Sequence, residues 1–348
     1  MILFASADRY HALQELVSVF TKQLPAGKHL HVLDISGERM SIQNTTNNWT
    51  LTYFDHSEVA KSIWQTLNSH SNEWWKLLSL DDKDSLELPE LPGIEDLTRI
   101  IQLSEVIHEL KNHEVLIVVM PPPLHAIKLL KMAQKGPDLI EKLLEPLLNW
   151  WDTTRKSLSA VEKMLRLHLP SSKQLRLTEN WKTKFQELQT ITTNRNKHNF
   201  VAFLDQESKD FDQLQHRFST FAMQGALPTH FAIQNGGTDI LQQIQSDYGN
   251  TPLNVIKWSN IKPEIDLNTL LDEGKNKQIE FTDEDNKAIH LFIPGVQKKS
   301  LMIKQTVGNI HILHQGSHRS IDIPETWRTL RCQRAQIESS WLILKFFG

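Results

Sequence analysis

The sequence predicts an α/β fold, in which a parallel-sheet domain with a helical subdomain precedes a small all-β sandwich. Short apolar runs alternate with longer helical segments over about the first 260 residues. Such alternation is typical of a parallel sheet covered by helices. The run VLIVVM at 115–120 is apolar throughout, as strands buried on both faces are. From Ile279 onward, short strand-like runs are separated by turn residues without helical spacing, which favours a sandwich.

The elements follow from the spacing of apolar residues along the chain. Strands are predicted at 1–6, 29–35, within 42–56, and at 115–120, 200–204, 229–235 and 253–258. Helices are predicted at 10–24, 57–78, 94–110, 124–168, 178–192, from 205 to about 223, and at 238–247. These patterns predict a larger domain over 1–262, with its helical subdomain at 57–110 and 124–195, a charged linker at 263–276 and a sandwich over 277–348.

Composition and charge exclude several classes of protein. A net charge of −3 provides no whole-chain attraction to nucleic acid or to an anionic membrane surface. A single cysteine, Cys332, excludes an internal disulfide framework and a cysteine-rich zinc site. No apolar run approaches the ~20 residues of a membrane span. We therefore predict a cytoplasmic protein with neither a nucleic-acid partner nor an integral membrane segment.

Two segments carry a recognisable pattern, LPGIEDL at 91–97 and EVLIVVMPPPLHAIKLL at 114–130. They resemble a Pro-Gly-x-Glu helix and the strand and helix after it in one family, the arsenite-efflux and tail-anchored-protein-targeting ATPases. His125 falls on the family's histidine. Asn235, in the strand FAIQN, falls on the asparagine that approaches adenine. The segment from Ile289 to Phe346 resembles the α-crystallin-like (small heat-shock-protein-like) sandwich that a subset of these ATPases carries.

The resemblance implies a P-loop fold, but the residues of ATP chemistry are missing. A phosphate loop needs glycines that let backbone amides approach the phosphates, a lysine that neutralises them and a Ser or Thr that binds magnesium. The family's loop falls on residues 6–14, which contain no glycine. We read eight positions as a degenerate nucleotide site, namely Ser6, Ala7, Arg9, Ala12, Leu13, Val119, His125 and Asn235.

The residues that differ from the family are those that the family uses for ATP chemistry. Ala7 and Ala12 stand at the family's two lysines, Leu13 at the magnesium-binding threonine and Val119 at the metal-proximal aspartate. The water-activating Asp-Pro-Ala-His falls on 37–40, which reads Gly-Glu-Arg-Met. We therefore predict no catalytic residue, no metal site and no tight binding of ATP or Mg²⁺, and hence that the chain is not an enzyme.

Other polar residues carry a functional and a plain interpretation. His29 and His31 alternate on one predicted strand and so share a face, but two ligands without a third make exposed strand histidines the favoured interpretation. For the histidines at 311, 314 and 318, decoration of the sandwich is favoured. Cys332 is interpreted as a packing residue.

The adjacent tryptophans at 74–75 and 150–151 stand about 100° apart on a helix, so both members of a pair cannot face the core squarely. Two interpretations of these tryptophans stay equally open: they enlarge the core, or they contact a partner. The candidate partner surface comprises Leu144, Leu147, Trp150 and Trp151.

The leading function hypothesis is a non-catalytic, protein-binding or chaperone-like protein that holds a hydrophobic client, such as an apolar helix, or a partner subunit. The alternative is a residual ATPase, or one that a partner completes. A structural subunit that pairs with an active relative is a third hypothesis. Monomer and homodimer are both left open.

Overall fold

The structure is a computed structural model and describes residues 1–24, 27–40, 48–56, 58–59, 93–111, 113–157, 179–205, 210–234, 238–249, 251–258, 270 and 278–348. Its strands are β1 Ile2–Ala7, β2 His29–Asp34, β3 Trp49–Tyr53, β4 Glu114–Val119, β5 His198–Asp205, β6 His230–Gln234, β7 Val255–Trp258, β8 Glu280–Asp283, β9 Ala288–Phe292, β10 Leu301–Thr306, β11 Asn309–His314, β12 Ser317–Asp322, β13 Arg331–Glu338 and β14 Trp341–Phe347. Its α-helices are α1 His11–Gln23, α2 Ile94–Glu109, α3 Pro123–Lys135, α4 Pro137–Ser157, α5 Glu179–Thr193, α6 Phe211–Met223 and α7 Thr238–Tyr248.

Seven parallel strands form the central sheet, in the order β3-β2-β4-β1-β5-β6-β7. The first strand lies in the middle, between β4 and β5. From β1 the chain first builds one half of the sheet and then crosses to the other, so the strand order reverses beside β1. Open α/β sheets bind ligands at the carboxyl ends of their strands at such a point.

Helices cover both faces of this sheet because successive strand residues point to opposite faces. Leu3 and Ala5 belong to an apolar cluster with α1, whereas Ile2 and Phe4 belong to one with α2, α3, α5, α6 and α7. The sheet is therefore buried on both faces, which explains why β4 reads as one apolar run.

Antiparallel strands follow the parallel sheet. One sheet has the order β10-β11-β12 and the other the order β13-β14-β9-β8. Their shared core contains the buried side chains of Ile289, Leu291, Ile310, Ile312 and Leu344. The predicted fold class, a P-loop-type α/β domain followed by a small all-β sandwich, is confirmed.

The end of α6 joins the two parts. Met223, its last residue, is fully buried in the sandwich core. One turn earlier, Ser219 Oγ lies 3.0 Å from His314 Nδ1 on β11. Arg319 on β12 donates from Nη1 to the carbonyl oxygen of Ala222 at 2.8 Å. The sandwich is thus attached by apolar burial and by hydrogen bonds to one helix.

The helical region predicted as one segment over 124–168 is divided within its described part. Gly136 separates α3 from α4 with a φ of 66°, a left-handed conformation that glycine adopts readily. A Cβ at this position would lie 2.6 Å from the Gln189 side chain. Pro137 then begins α4, where the missing amide costs no helical hydrogen bond. Among the described residues, no helix is both long and apolar enough to cross a bilayer.

Candidate functional site

The turn between β1 and α1 occupies the centre of the sheet's carboxyl edge. Ser6 is buried in β1 and donates from Oγ to the carbonyl oxygen of Pro121 at 2.5 Å. Ala7 is the last residue of β1 and its side chain is buried. The structure therefore places these two predicted residues at the topological position of a phosphate loop.

The amides in the first turn of α1 already have backbone acceptors in the residues just before the helix. The amide of Ala12 donates to the carbonyl of Arg9 at 3.2 Å, and that of Leu13 donates to Tyr10 at 3.0 Å. Helix N-termini bind anions through amides that have no partner within the helix. Ala12 and Leu13 also bury their side chains in the apolar cluster beneath α1. These two positions therefore contribute packing and no cation or hydroxyl.

Ion pairs close the turn against β5 and α6. Asp8 accepts from the amide of Asp205 at 2.8 Å and from Arg217 Nη2 at 2.7 Å. Arg9 forms an ion pair with Asp205. Two ion pairs, Asp8 with Arg217 and Asp205 with Arg9, therefore hold the turn. Arg9, the one predicted cation of the site, already has a counter-ion.

A buried carboxylate stands at the end of β2. Asp34 is 2% exposed and accepts from the amide of Ser36 at 3.0 Å, its hydroxyl at 2.6 Å and the amide of Met40 at 3.3 Å. Tyr10 donates its phenol to the same carboxylate. Burial, then the hydrogen bond to Asp34 and that residue's charge, raise the pKa of Tyr10, so the phenol remains a donor. Asp34 thereby joins the turn to the loop after β2.

A third polar cluster lies beside the end of β4. Val119, the last residue of β4, is fully buried opposite Ala5. His125 Nε2, in the first turn of α3, lies 2.7 Å from Asp96 Oδ1. Arg99 donates to the same oxygen at 3.2 Å and to the carbonyl of Ile35 at 2.9 Å. Asp96 thus holds the imidazole of His125 at the sheet edge. The side chain of His125 is partly exposed there.

The residues of this turn do not fit a nucleoside triphosphate with magnesium. The amides of Ala12 and Leu13 already have acceptors, and no glycine lies between β1 and α1 to admit a phosphate. Asp8 would repel phosphate, and Asp34 already accepts four hydrogen bonds. The arrangement keeps the phenol of Tyr10 protonated and joins the β1–α1 turn to β5 and α6 by ion pairs.

The structure does not place the remaining predicted residues at this turn. Asn235 lies outside the described residues. The backbone of Leu144, Leu147, Trp150 and Trp151 lies in α4, but their side chains are outside the described part, so the surface they would form stays a prediction.

Two pairs of histidines lie on strands, and neither pair belongs to a larger set of metal ligands among the described residues. His29 and His31 lie on β2 with ring centroids 4.9 Å apart. His311 Nδ1 and His318 Nε2 are 3.3 Å apart on neighbouring strands. Within the ranges described, no group of three or more His, Cys, Asp or Glu side chains has the arrangement of a metal site.

Sequence reasoning missed the polar residues that organise this edge. Asp34 follows the apolar pair Val32 and Leu33 at the end of β2, and Arg99 interrupts an apolar helix pattern. Both carried a usable signal, because a charged residue at a buried position requires a partner. Asp205 also ends a buried strand, but its pairing with Arg9 across 196 positions left no local pattern.

Comparison with known proteins assigns the family. The model of the family described as anion-transporting ATPase matches residues 14–255, which is more than half of the chain. The chain belongs to the anion-transporting ATPase family. This membership confirms the broad resemblance seen in the sequence. No curated protein sequence matches the chain.

Family membership also corrects one prediction. The missing ATP-binding residues led us to predict that the chain is not an enzyme. That prediction is contradicted, because the matching family is one of ATPases. The match ends before the sandwich, so the resemblance of that part to an α-crystallin domain stays a prediction.

Proposed function

We propose that this member of the anion-transporting ATPase family is a protein-binding, chaperone-like protein that holds an apolar client or partner subunit on its sandwich. We propose further that the β1–α1 turn does not bind ATP and Mg²⁺ tightly. The two parts rest on different residues, one set on the exposed face of the sandwich and the other at the carboxyl edge of the central sheet.

The observation that carries the first part is an exposed apolar pair on the sandwich. Met302 on β10 stands directly opposite Leu313 on β11. Met302 is 66% exposed and Leu313 is 43% exposed, and Val307 in the adjoining turn is 94% exposed. Adjacent exposed apolar side chains favour a protein contact. A flexible methionine adapts to different apolar partners, which suits a chaperone-like role.

A light-scattering experiment tests this part. The full chain is added to a model client enzyme that aggregates on heating, and suppression of scattering is measured for wild type and for a Met302→Ser, Leu313→Ser double variant. Lys304→Ser, on an exposed position of the same strand, is the matched control. We expect suppression by wild type and control and a several-fold weaker effect of the double variant. Absence of suppression, or equal suppression by the double variant, contradicts the proposal.

A melting experiment tests the second part. ATP with Mg²⁺ at a hundredfold excess over its dissociation constant would stabilise the fold by about 2.7 kcal/mol. We expect no rise in the melting temperature at millimolar ATP, because the amides of Ala12 and Leu13 already have acceptors and Asp8 lies in the turn. Arg9→Ala is the control. A rise in wild type that disappears in Arg9→Ala would show that the turn binds nucleotide.

The family supplies the alternative, an ATPase that a partner completes. It predicts phosphate release that depends on an added partner and is sensitive to substitutions at the turn. The sandwich face and the turn are on different parts of the chain, so the two experiments succeed or fail independently.

A further inference from the structure

Two histidines approach each other on the outer surface of the sandwich. Ile312 on β11 and Ile321 on β12 point into the sandwich core, so His311 and His318 point to the opposite side of the same sheet. His311 is half-buried and His318 is exposed. His311 Nδ1 lies 3.3 Å from His318 Nε2. Two ring nitrogens therefore meet across neighbouring strands on a surface that solvent reaches.

The distance between these nitrogens is that of two ligands on one metal ion. Zinc binds imidazole nitrogens at about 2.0–2.1 Å in a tetrahedral arrangement, which places two such nitrogens about 3.3 Å apart. The spacing in sequence does not reveal this proximity. It arises from the antiparallel register, in which His318 stands opposite Leu313, two residues from His311 on the same face.

Thr306 determines which nitrogen of His311 is available. Its hydroxyl donates to the carbonyl oxygen of Asn309 at 3.3 Å, and its Oγ1 lies 3.1 Å from His311 Nε2. Because a hydroxyl has a single proton, Oγ1 accepts from the Nε2–H of the imidazole. A neutral imidazole carries one proton, so Nδ1 keeps its lone pair and faces His318. Histidines that bind metals typically donate from their other ring nitrogen in this way.

We propose that His311 and His318 bind a divalent transition metal ion such as Zn²⁺, His311 through Nδ1 and His318 through Nε2. Without metal, His318 donates from Nε2 to the lone pair of His311. With metal, the proton of His318 resides on its Nδ1, so both facing nitrogens coordinate and no net proton is released. The rings are within 16° of parallel and tilt towards each other on binding. Water fills the remaining positions, as it does in open zinc sites.

The surrounding charges do not oppose a cation. Lys304 stands opposite His311 on β10, and Asp322 stands opposite Asn309 on β12. Both are exposed, so an ion at the pair meets one ammonium and one carboxylate. Imidazole ligands select zinc, copper and nickel over magnesium. The inference does not rest on the proposed client binding, because it uses neither exposed apolar residue of this face and its test contains no client.

Isothermal titration of the full chain with ZnCl₂ at pH 7.5, in a buffer that does not bind zinc, tests the proposal. His311→Ala and His318→Ala each remove one ligand. The double variant His29→Ala, His31→Ala removes the histidine pair of β2 and is the matched control. We expect zinc binding by wild type, at least ~10-fold weaker binding by each single variant, and unchanged binding by the control. MgCl₂ is expected to show no binding that depends on His311 or His318.

A second set of measurements separates this site from a loss of folding. Thr306→Val is expected to weaken zinc binding roughly 10-fold, because it removes the hydrogen bond that orients His311, whereas Thr306→Ser retains it. In nitrogen NMR spectra of the wild type, zinc is expected to shift His311 Nδ1 and His318 Nε2. Absence of zinc binding, unchanged affinity in either folded single histidine variant, equal loss in the control, or unshifted ring nitrogens overturns the proposal. Unchanged affinity in Thr306→Val overturns the assignment of Nδ1 as the ligand atom.

Discussion

His198 makes the stability of this protein dependent on pH through one buried imidazole. It begins β5, is 8% exposed, and its Nδ1 lies 2.8 Å from the carbonyl oxygen of Ile191. Its ring packs edge-on against the ring of Phe4, with the two ring centroids 5.4 Å apart. Burial is the largest cause of its lowered pKa, and the charge of Arg195 lowers that pKa further.

The expected magnitude follows from the pKa difference between the folded and unfolded states. Burial lowers the folded-state pKa from the model-peptide value of 6.5 to about 4, so the unfolded state binds the proton more tightly. The contribution to stability is complete above pH 6.5 and is lost as pH falls towards 4. At about 1.4 kcal/mol per pKa unit, roughly 2 kcal/mol is lost by pH 5 and roughly 3 kcal/mol by pH 4.

Urea unfolding of wild type and His198→Asn at several pH values measures this term. The asparagine amide can still donate to Ile191, but it does not titrate. We expect the free energy of unfolding of wild type to fall by about 2 kcal/mol more than that of the variant between pH 7.5 and 5. His11→Asn removes an exposed histidine and is the control. Parallel pH profiles for wild type and His198→Asn would refute the reasoning.

Three further predictions concern contacts between elements. Asp8→Ala is expected to lower the free energy of unfolding by about 1–2 kcal/mol, since it releases hydrogen bonds to β5 and α6; an unchanged urea midpoint would contradict this. The isolated fragment 277–348 is expected to form β structure but to melt at a lower temperature than the sandwich in the full chain, because it loses the burial of Met223; circular dichroism would show an equal melting temperature or a helical fragment if this is wrong. If the chain dimerises, we expect a dimer that is independent of ATP and weakened by Trp150→Ala with Trp151→Ala, measured by light scattering; a dimer that forms only with ATP would contradict this.

The sequence alone was sufficient for the architecture. Continuous apolar runs such as β4, alternating with helical spacing, reflect burial on both faces of a parallel sheet. The change to short strands separated by turns after Ile279 reflects the short connections that join antiparallel strands, where parallel strands need a long crossover. These signals are local, because the pattern of exposed and buried residues in one element lies within a single short stretch of the chain. The absence of glycine between β1 and α1 is likewise visible in the sequence alone.

The residues of the β1–α1 turn led to one wrong prediction, that the chain is not an enzyme. Missing ATP-binding residues were taken to mean that the chain is not an enzyme, whereas the family that its sequence matches over 14–255 is one of ATPases. Family membership is carried by the pattern of the whole domain. The residues of one turn do not decide it.

Tertiary structure alone decided which charged groups meet. Asp8 reaches Arg217 across 209 positions, and Arg195 and Arg319 share one cavity although they belong to different parts of the chain. Gly136 also divides the predicted long helix, because only glycine fits beside Gln189 with that backbone angle. The sequence encodes the burial of each element, but the partners of its charged side chains depend on how strands and helices distant in sequence pack, and no local pattern records that distance.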